Sequence, residues 1–151
     1  MIVSIAIVVM GDAVGESADP KSLRILVIDD HVVFRKQVCA FLETQAGFVV
    51  ICEAGDGLEG IRQAEELQPD VIILDVSMPT LGGIEAAVRI RKVAAKSRIV
   101  FLSQHNSEGV AKAALATGAH AFVTKVTAAT DLIPAVQAVL EGKNFVSQVE
   151  P

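Results

Sequence analysis

Asp29 and Asp30, Asp75, Ser103 and Lys125 each stand at or just beyond the end of a short apolar run. Leu23 to Ile28 leads into the acidic pair, Val71 to Leu74 into Asp75, Ile99 to Leu102 into Ser103, and Ala121 to Val123 into Thr124 and Lys125. Three carboxylates, a hydroxyl and a primary ammonium can together handle a phosphoryl group. Carboxylates gathered in one cleft repel one another and raise each other's pKa unless a cation offsets them. Oxygen donors in a shallow, open site suit a hard divalent ion, Mg²⁺ above all. A carboxylate beside such an ion can attack phosphorus and form an aspartyl phosphate. Transfer then requires positioning and positive charge around the equatorial oxygens, which Lys125 and the Ser103 hydroxyl would supply.

That chemistry needs the four run ends to meet. They do if the runs are parallel strands of one open α/β sheet, because such sheets place ligands outside the carboxyl ends of their strands. After Pro20 the chain alternates β-rich runs with longer helical ones. Strands are expected at Leu23 to Ile28, Val49 to Glu53, Val71 to Leu74, Ile99 to Leu102 and Ala121 to Val123. Phe34, Val38, Phe41 and Leu42 fall at the spacing of a helix with one buried face. Helical stretches follow at Leu58 to Leu67, Ile84 to Val93 and Ser107 to Thr117, and the stripe returns at Leu132, Val136, Val139 and Leu140. Gly47, Gly55 with Gly57, Pro69, Pro79 with Gly82 and Gly83, Gly118 and Gly142 fall between elements, where Gly and Pro break regular structure. Pro134 is placed in the first turn of the last helix, where its missing N–H bonds nothing. Strands separated by helices imply a parallel sheet with helices on both faces.

The 151 residues amount to one domain, with enough chain to bury a core unaided. Apolar residues make up 52%, drawn mostly from Ala, Val and Ile, which suits buried strands under closely packed helices. A net charge of -5 weighs against nucleic-acid binding, which rests on basic side chains neutralising phosphates. Cys39 and Cys52 read as reduced core thiols of a cytoplasmic protein. Residues 1–22 form an N-terminal extension, expected to be flexible. Its apolar start, Met1 to Met10, is too short for a membrane span and lacks the basic residues of a signal peptide. Residues 23–143 are the folded domain and 144–151 a C-terminal tail.

The acidic pair in Ile28-Asp29-Asp30-His31, the run from Pro69 through Asp75 to Pro79, Gly82-Gly83, Ser103 and Lys125 occur in this order, each at a strand end. In this the chain resembles the CheY-like receiver domain of two-component response regulators over roughly Leu23 to Lys143. The Asp-Asp-His and Gly-Gly-Ile-Glu patterns, with Val126 after Lys125, resemble the NarL and FixJ subfamily. The resemblance implies a flavodoxin-like, doubly wound (βα)5 fold whose five-stranded parallel sheet runs in the order 2-1-3-4-5. It implies that Asp75 accepts phosphate from a histidine kinase, with Ser103 and Lys125 completing the catalytic set. It implies Mg²⁺ held by Asp30, Asp75 and the backbone carbonyl of Ser77, with Asp29 acting mainly through water. Ser103 matches the switch hydroxyl, and Phe122 the aromatic that turns inward on phosphorylation.

Such a domain catalyses only its own phosphorylation and dephosphorylation and is not an enzyme for a separate metabolite. The face of the fourth helix, fifth strand and fifth helix is then expected to change and to present a surface to a protein target, a second copy of the chain among them. The subfamily usually continues into a helix-turn-helix domain, whereas the sequence ends at Pro151, so no direct DNA binding is expected. Two other readings are a scaffold receiver that signals without phosphate and the receiver fragment of a DNA-binding regulator. Gln104 stands where a small residue is frequent and would narrow access to the phosphate. His31 is expected to start a helix beside the acidic pair, and His120 to be structural. His105 is either exposed or a neighbour that affects water access.

Overall fold

The computed structural model describes residues 22–151, so the expectation for the N-terminal extension lies, but for Ser22, outside the described residues. Strands β1 (Leu23–Ile28), β2 (Phe48–Ala54), β3 (Val71–Asp75), β4 (Arg98–Ser103), β5 (Ala121–Thr124) and β6 (Phe145–Val146) alternate with helices α1 (Val32–Leu42), α2 (Gly57–Leu67), α3 (Gly83–Val93), α4 (Glu108–Leu115) and α5 (Ala128–Leu140). A 3₁₀ turn, Lys125–Thr127, joins β5 to α5. The strands form one sheet in the order β2-β1-β3-β4-β5-β6, and every neighbouring pair is parallel.

β3 is buried along its whole length, and β4 everywhere but Arg98. Their continuous apolar runs belong to strands covered on both faces. Alternate side chains divide between two cores. Leu26, Ile28, Ile72, Leu74, Ile99, Phe101 and Phe122 pack with Ala86, Ile90, Ala111 and Ala114, beneath α3 and α4. Ile25, Val27, Val71, Ile73, Val100, Leu102 and Val123 pack with Val38, Leu42, Leu132, Val136 and Val139, beneath α1 and α5. Small residues on α3 and α4 let those helices lie close to the bulky strand side chains.

The doubly wound parallel sheet is the one expected, with two differences. A sixth strand, β6, covers the outer edge of β5 where five strands were expected. Gly142 leaves α5 with φ +79°, turning the chain back toward β5, and the amide of Phe145 then donates to the His120 carbonyl at 3.2 Å. Two residues are too few to announce a strand by periodicity. Pro134 lies in the second turn of α5 rather than the first, because the helix already begins at Ala128. The carbonyl it leaves without a helical donor belongs to Thr130, and both residues are exposed, so water can serve in place of the lost bond.

Candidate functional site

The carboxyl ends of β1, β3, β4 and β5 bring the predicted residues together. Asp29 follows the last residue of β1, and its amide donates to the Ala54 carbonyl at 3.0 Å, fixing it against the end of β2. Its Oδ1 accepts from the His31 amide at 2.8 Å, closing a turn that starts α1. Arg35, one turn into α1, donates from Nη1 to the Asp29 carbonyl at 2.7 Å and from Nε to Glu53 at 2.9 Å. The acidic corner is thus tied to β2 and to α1.

Asp75 ends β3 and is 1% exposed. Its Oδ1 accepts from the Ser77 amide at 3.3 Å, which brings the Ser77 backbone to the carboxylate. The loop that carries Ser77 returns to the strand through Gly83, whose amide donates to the Val76 carbonyl at 2.8 Å. A Cβ on Gly83 would overlap the Asp75 carbonyl, so this position requires glycine. Lys125 reaches in from the turn after β5. Its Nζ lies 2.9 Å from Asp29 Oδ2 and 3.5 Å from Asp75 Oδ1, with the ammonium 4.6 Å over the Phe34 ring. The ring lends a cation–π contact and shields one side of the amine from water.

Charge is not balanced here. Burial, and after it the charge of Asp29, pushes the Asp75 carboxyl up to about 7, with Lys125 pulling the other way. Asp30 Oδ1 and Asp75 Oδ2 are buried with no hydrogen-bond partner, and Asp29 Oδ2 has the Lys125 ammonium close by but out of hydrogen-bonding alignment. Buried polar atoms are nearly always satisfied in folded proteins, so two partnerless oxygens beside a third that has only a shared lysine point to a missing positive partner. One ligand atom each from Asp29, Asp30, His31 and Asp75 lies within 4.8 Å of all the others. Acidic oxygens predominate in this set, and it fits a hard divalent cation.

Ser103 ends β4, fully buried, with its hydroxyl turned to its own loop. It donates to the His105 carbonyl and accepts from the His105 amide, both at 2.9 Å. Phe122, paired with Phe101 across β4 and β5, is fully buried beneath α4 among Ala111, Ala114 and Ala119. The ring already lies inward. Gln104 is exposed and, with His31, Val33, Phe34, Gln37 and Lys125, borders a shallow cavity of about 340 Å³ at the mouth of the site.

Sequence reasoning set His31 beside the acidic pair as a helix start. It is one, and its Nδ1 also lies 3.4 Å from Asp29 Oδ1 and 3.5 Å from Asp30 Oδ1. Phe34 and Arg35 were missed as site residues. Phe34 carried a signal only as the first member of the α1 stripe, and Arg35 carried none. His105 is exposed. His120 Nδ1 accepts from the Ile99 amide at 3.3 Å, and burial holds its pKa below the usual range, as befits a structural histidine. Among the described residues, no helix is long and apolar enough to cross a membrane.

The response regulator receiver domain model matches residues 25–137. The chain is 36% identical over 121 residues to the transcriptional regulatory protein LiaR of Bacillus subtilis, covering 80% of this chain and 57% of LiaR. A two-component response regulator of the LuxR family from an Aurantimonas species superposes with a TM-score of 0.79 at 33% identity, over 82% of this chain and 89% of that one. The signal receiver domain of a NarL response regulator from Mycobacterium tuberculosis gives 0.77 at 31% identity, over 82% of this chain and all of the other. The chain therefore spans less than two thirds of the curated relatives' length, and the whole of an isolated receiver.

Proposed function

The chain belongs to the response regulator receiver domains of two-component signalling, and from that membership we propose that Asp75 is its phosphoacceptor, loaded by a histidine kinase. The single observation that carries this reading is the unsatisfied acidic corner. Asp75 Oδ2 is buried without a partner at a strand end, beside two more carboxylates and an ammonium.

Each residue has a stated part. An Asp75 carboxylate oxygen bonds to phosphorus as the P–N bond to the donor imidazole breaks, and the released imidazole regains a proton from solvent. Asp30, Asp75 and the Ser77 carbonyl would hold Mg²⁺, with Asp29 acting mainly through water. Bound there, Mg²⁺ would offset the clustered negative charge and polarise the transferring phosphoryl oxygens. Lys125, already steered between Asp29 and Asp75 by the Phe34 ring, neutralises the anionic group once it is on Asp75. Ser103 leaves the His105 backbone to donate to a phosphoryl oxygen. Phe122, packed under α4, couples movement at the end of β4 to that helix. The domain promotes its own phosphorylation and, with water as acceptor, its own dephosphorylation.

Val32, Val33 and Val126 are exposed apolar side chains around the mouth of the site, 56%, 73% and 89% accessible. They offer the histidine donor an apolar rim to dock on. The output is a changed α4–β5–α5 face that binds a protein target or a second copy of the chain, in the cytoplasm. DNA binding is not assigned to the matched segment, since the relatives' names describe proteins of which it is little more than half.

Incubation with acetyl phosphate and Mg²⁺, followed by intact mass, tests the acceptor. Wild type should gain one phosphoryl group and Asp75→Asn none. Equal uptake by the variant would remove Asp75 from the role.

A further inference from the structure

The segment after α5 does more than end the domain. Phe145, Ser147 and Val149 turn inward while Val146, Gln148 and Glu150 face out, the alternation of an extended strand. Phe145 packs on the core beneath α1 and α5, and Val149 on the core beneath α3 and α4, so the segment crosses from one side of the sheet to the other. Beyond the bond from the Phe145 amide to His120, its polar atoms make three attachments. The Ser147 amide donates to the Phe122 carbonyl at 2.8 Å, extending the sheet. The Ser147 hydroxyl, in a residue only 3% exposed, accepts from the Thr124 amide at 3.2 Å and donates to Asp131 Oδ2 at 2.6 Å. Glu150 is fastened on both sides: its amide donates to the Asn106 carbonyl, and its carbonyl accepts from the Glu108 amide, each at 2.7 Å.

Both attached regions adjoin the functional site. Thr124 immediately precedes Lys125. Asn106 to Glu108 continues, without a break, from the Ser103–His105 turn that binds the Ser103 hydroxyl to its own loop. A hydroxyl that moves toward Asp75 must give up its two bonds to His105, and the chain that would follow it is pinned at Asn106 and Glu108 by Glu150.

We propose that residues 145–150 form a strap that holds the β4–α4 loop in its unphosphorylated arrangement and detaches from that loop and from the edge of β5 when Asp75 is loaded. The strap rests on the proposed function and adds to it an intramolecular brake on the same site. Coupling of this kind is reciprocal: loading the site loosens the strap, and loosening the strap favours loading, by the same factor. The Glu150 attachments are two backbone hydrogen bonds, so severing one should change the affinity for a phosphoryl mimic by about threefold to tenfold. Release would also uncover the edge of β5 beside Phe122, an unpaired strand edge to which another chain can add.

Glu150→Pro removes the amide that holds Asn106 and leaves the core and every site residue intact, whereas deletion of 145–151 removes the whole strap. Amide hydrogen exchange is followed in wild type with and without beryllofluoride and Mg²⁺, and the affinity for beryllofluoride is measured in all three proteins. On loading, the amides of Ser147, Glu150 and Glu108 should exchange at least tenfold faster. Glu150→Pro should bind the mimic about threefold to tenfold more tightly, and the deletion variant at least as tightly as that. Should the deletion variant fail to fold, Glu150→Pro and the wild-type exchange data decide alone. Binding of the mimic with unchanged protection at Ser147, Glu150 and Glu108, or unchanged affinity in Glu150→Pro, overturns the strap and leaves the phosphoacceptor reading standing. Wild type that binds no mimic and takes up no phosphate on Asp75 overturns both.

Discussion

Asp75 and Asp131 are both carboxylates drawn out of bulk water, and the protein treats them in opposite ways. Asp131 is given donors. Ser147 and Thr127 donate to its Oδ2 at 2.6 and 2.9 Å, Thr130 donates to its Oδ1 at 3.3 Å, and these bonds hold its pKa below the usual carboxylate range against a desolvation that would raise it. Asp75 is given one long bond from a backbone amide and a lysine shared with Asp29, and its pKa climbs to about 7. Chain that could have supplied hydroxyls to Asp75 supplies other carboxylates instead. A buried acid satisfied from within is part of the framework. One left short of positive charge is a place where the fold has conceded stability so that a ligand can supply it.

The largest expected consequence is a pair of opposite pH dependences in protein stripped of divalent ions. The folded-state pKa of Asp75 stands above that of the unfolded chain, so folding takes up a proton between the two values. Its contribution is fully present below about pH 4 and is lost as pH rises to about 7. Three pH units correspond to at most about 4 kcal/mol, reduced in practice because Asp75 titrates together with its neighbours. Asp131 has the reverse sign. Its contribution is present above the unfolded carboxylate pKa and is lost as pH falls through its depressed value. Urea unfolding of wild type and Asp75→Asn from pH 4 to 8 checks this. Asp75→Asn should be the more stable protein at pH 8, by a margin that shrinks toward pH 4. A margin independent of pH would mean that Asp75 is satisfied after all, and the contrast with Asp131 would collapse.

Divalent cation should then act on one of the two sites and not the other. Binding to the folded chain alone stabilises it by about 2.7 kcal/mol when the free ion exceeds its dissociation constant a hundredfold. Thermal unfolding should therefore shift upward with Mg²⁺ in wild type and in Asp131→Ala by the same amount, and far less in Asp30→Asn. An equal shift in Asp30→Asn would take the acidic corner out of ion binding and assign the gain to general screening.

What the sequence made legible divides along the same line. Asp29, Asp30, Asp75, Ser103 and Lys125 could be placed together because each follows a continuous apolar run, and parallel strands buried on both faces leave such runs. Their chemistry was legible because like charges at one sheet edge require an opposite one. The Asp131 network was not. Thr124 is the last residue of β5, but its partners Thr127, Asp131 and Ser147 lie in the 3₁₀ turn, at a helix start and beyond a two-residue strand, where there is no periodicity to read. Ser147 lies 16 residues from Asp131, and only the left-handed turn at Gly142 brings the segment back. Phe34 and Arg35 were hidden for a related reason. They serve the site through Lys125 and the Asp29 backbone, contacts that α1 and the strand ends create only once the sheet has formed.

The smallest effect is the one that best separates framework from site, namely the cost of Asp131→Ala. Removing this carboxylate leaves the Ser147 and Thr127 hydroxyls without their best acceptor, but each keeps another contact: Ser147 with the Thr124 amide, Thr127 with the Thr124 hydroxyl at 2.7 Å. Hydrogen bonds to a charged acceptor contribute more than neutral ones, yet Asp131 is only half-buried and the loosened hydroxyls can turn to water. The net loss should be about 1–2 kcal/mol in urea unfolding at pH 7, and it should fall toward zero as the medium is acidified and the wild-type carboxylate itself becomes protonated. In the presence of Mg²⁺ the variant should still take up phosphate from acetyl phosphate on Asp75, and no more slowly than wild type, because the lost bond fastens the strap rather than the acidic corner. A variant as stable as wild type would show that the donors around Asp131 are incidental. One unable to take up phosphate would place Asp131 within the site it is here set against.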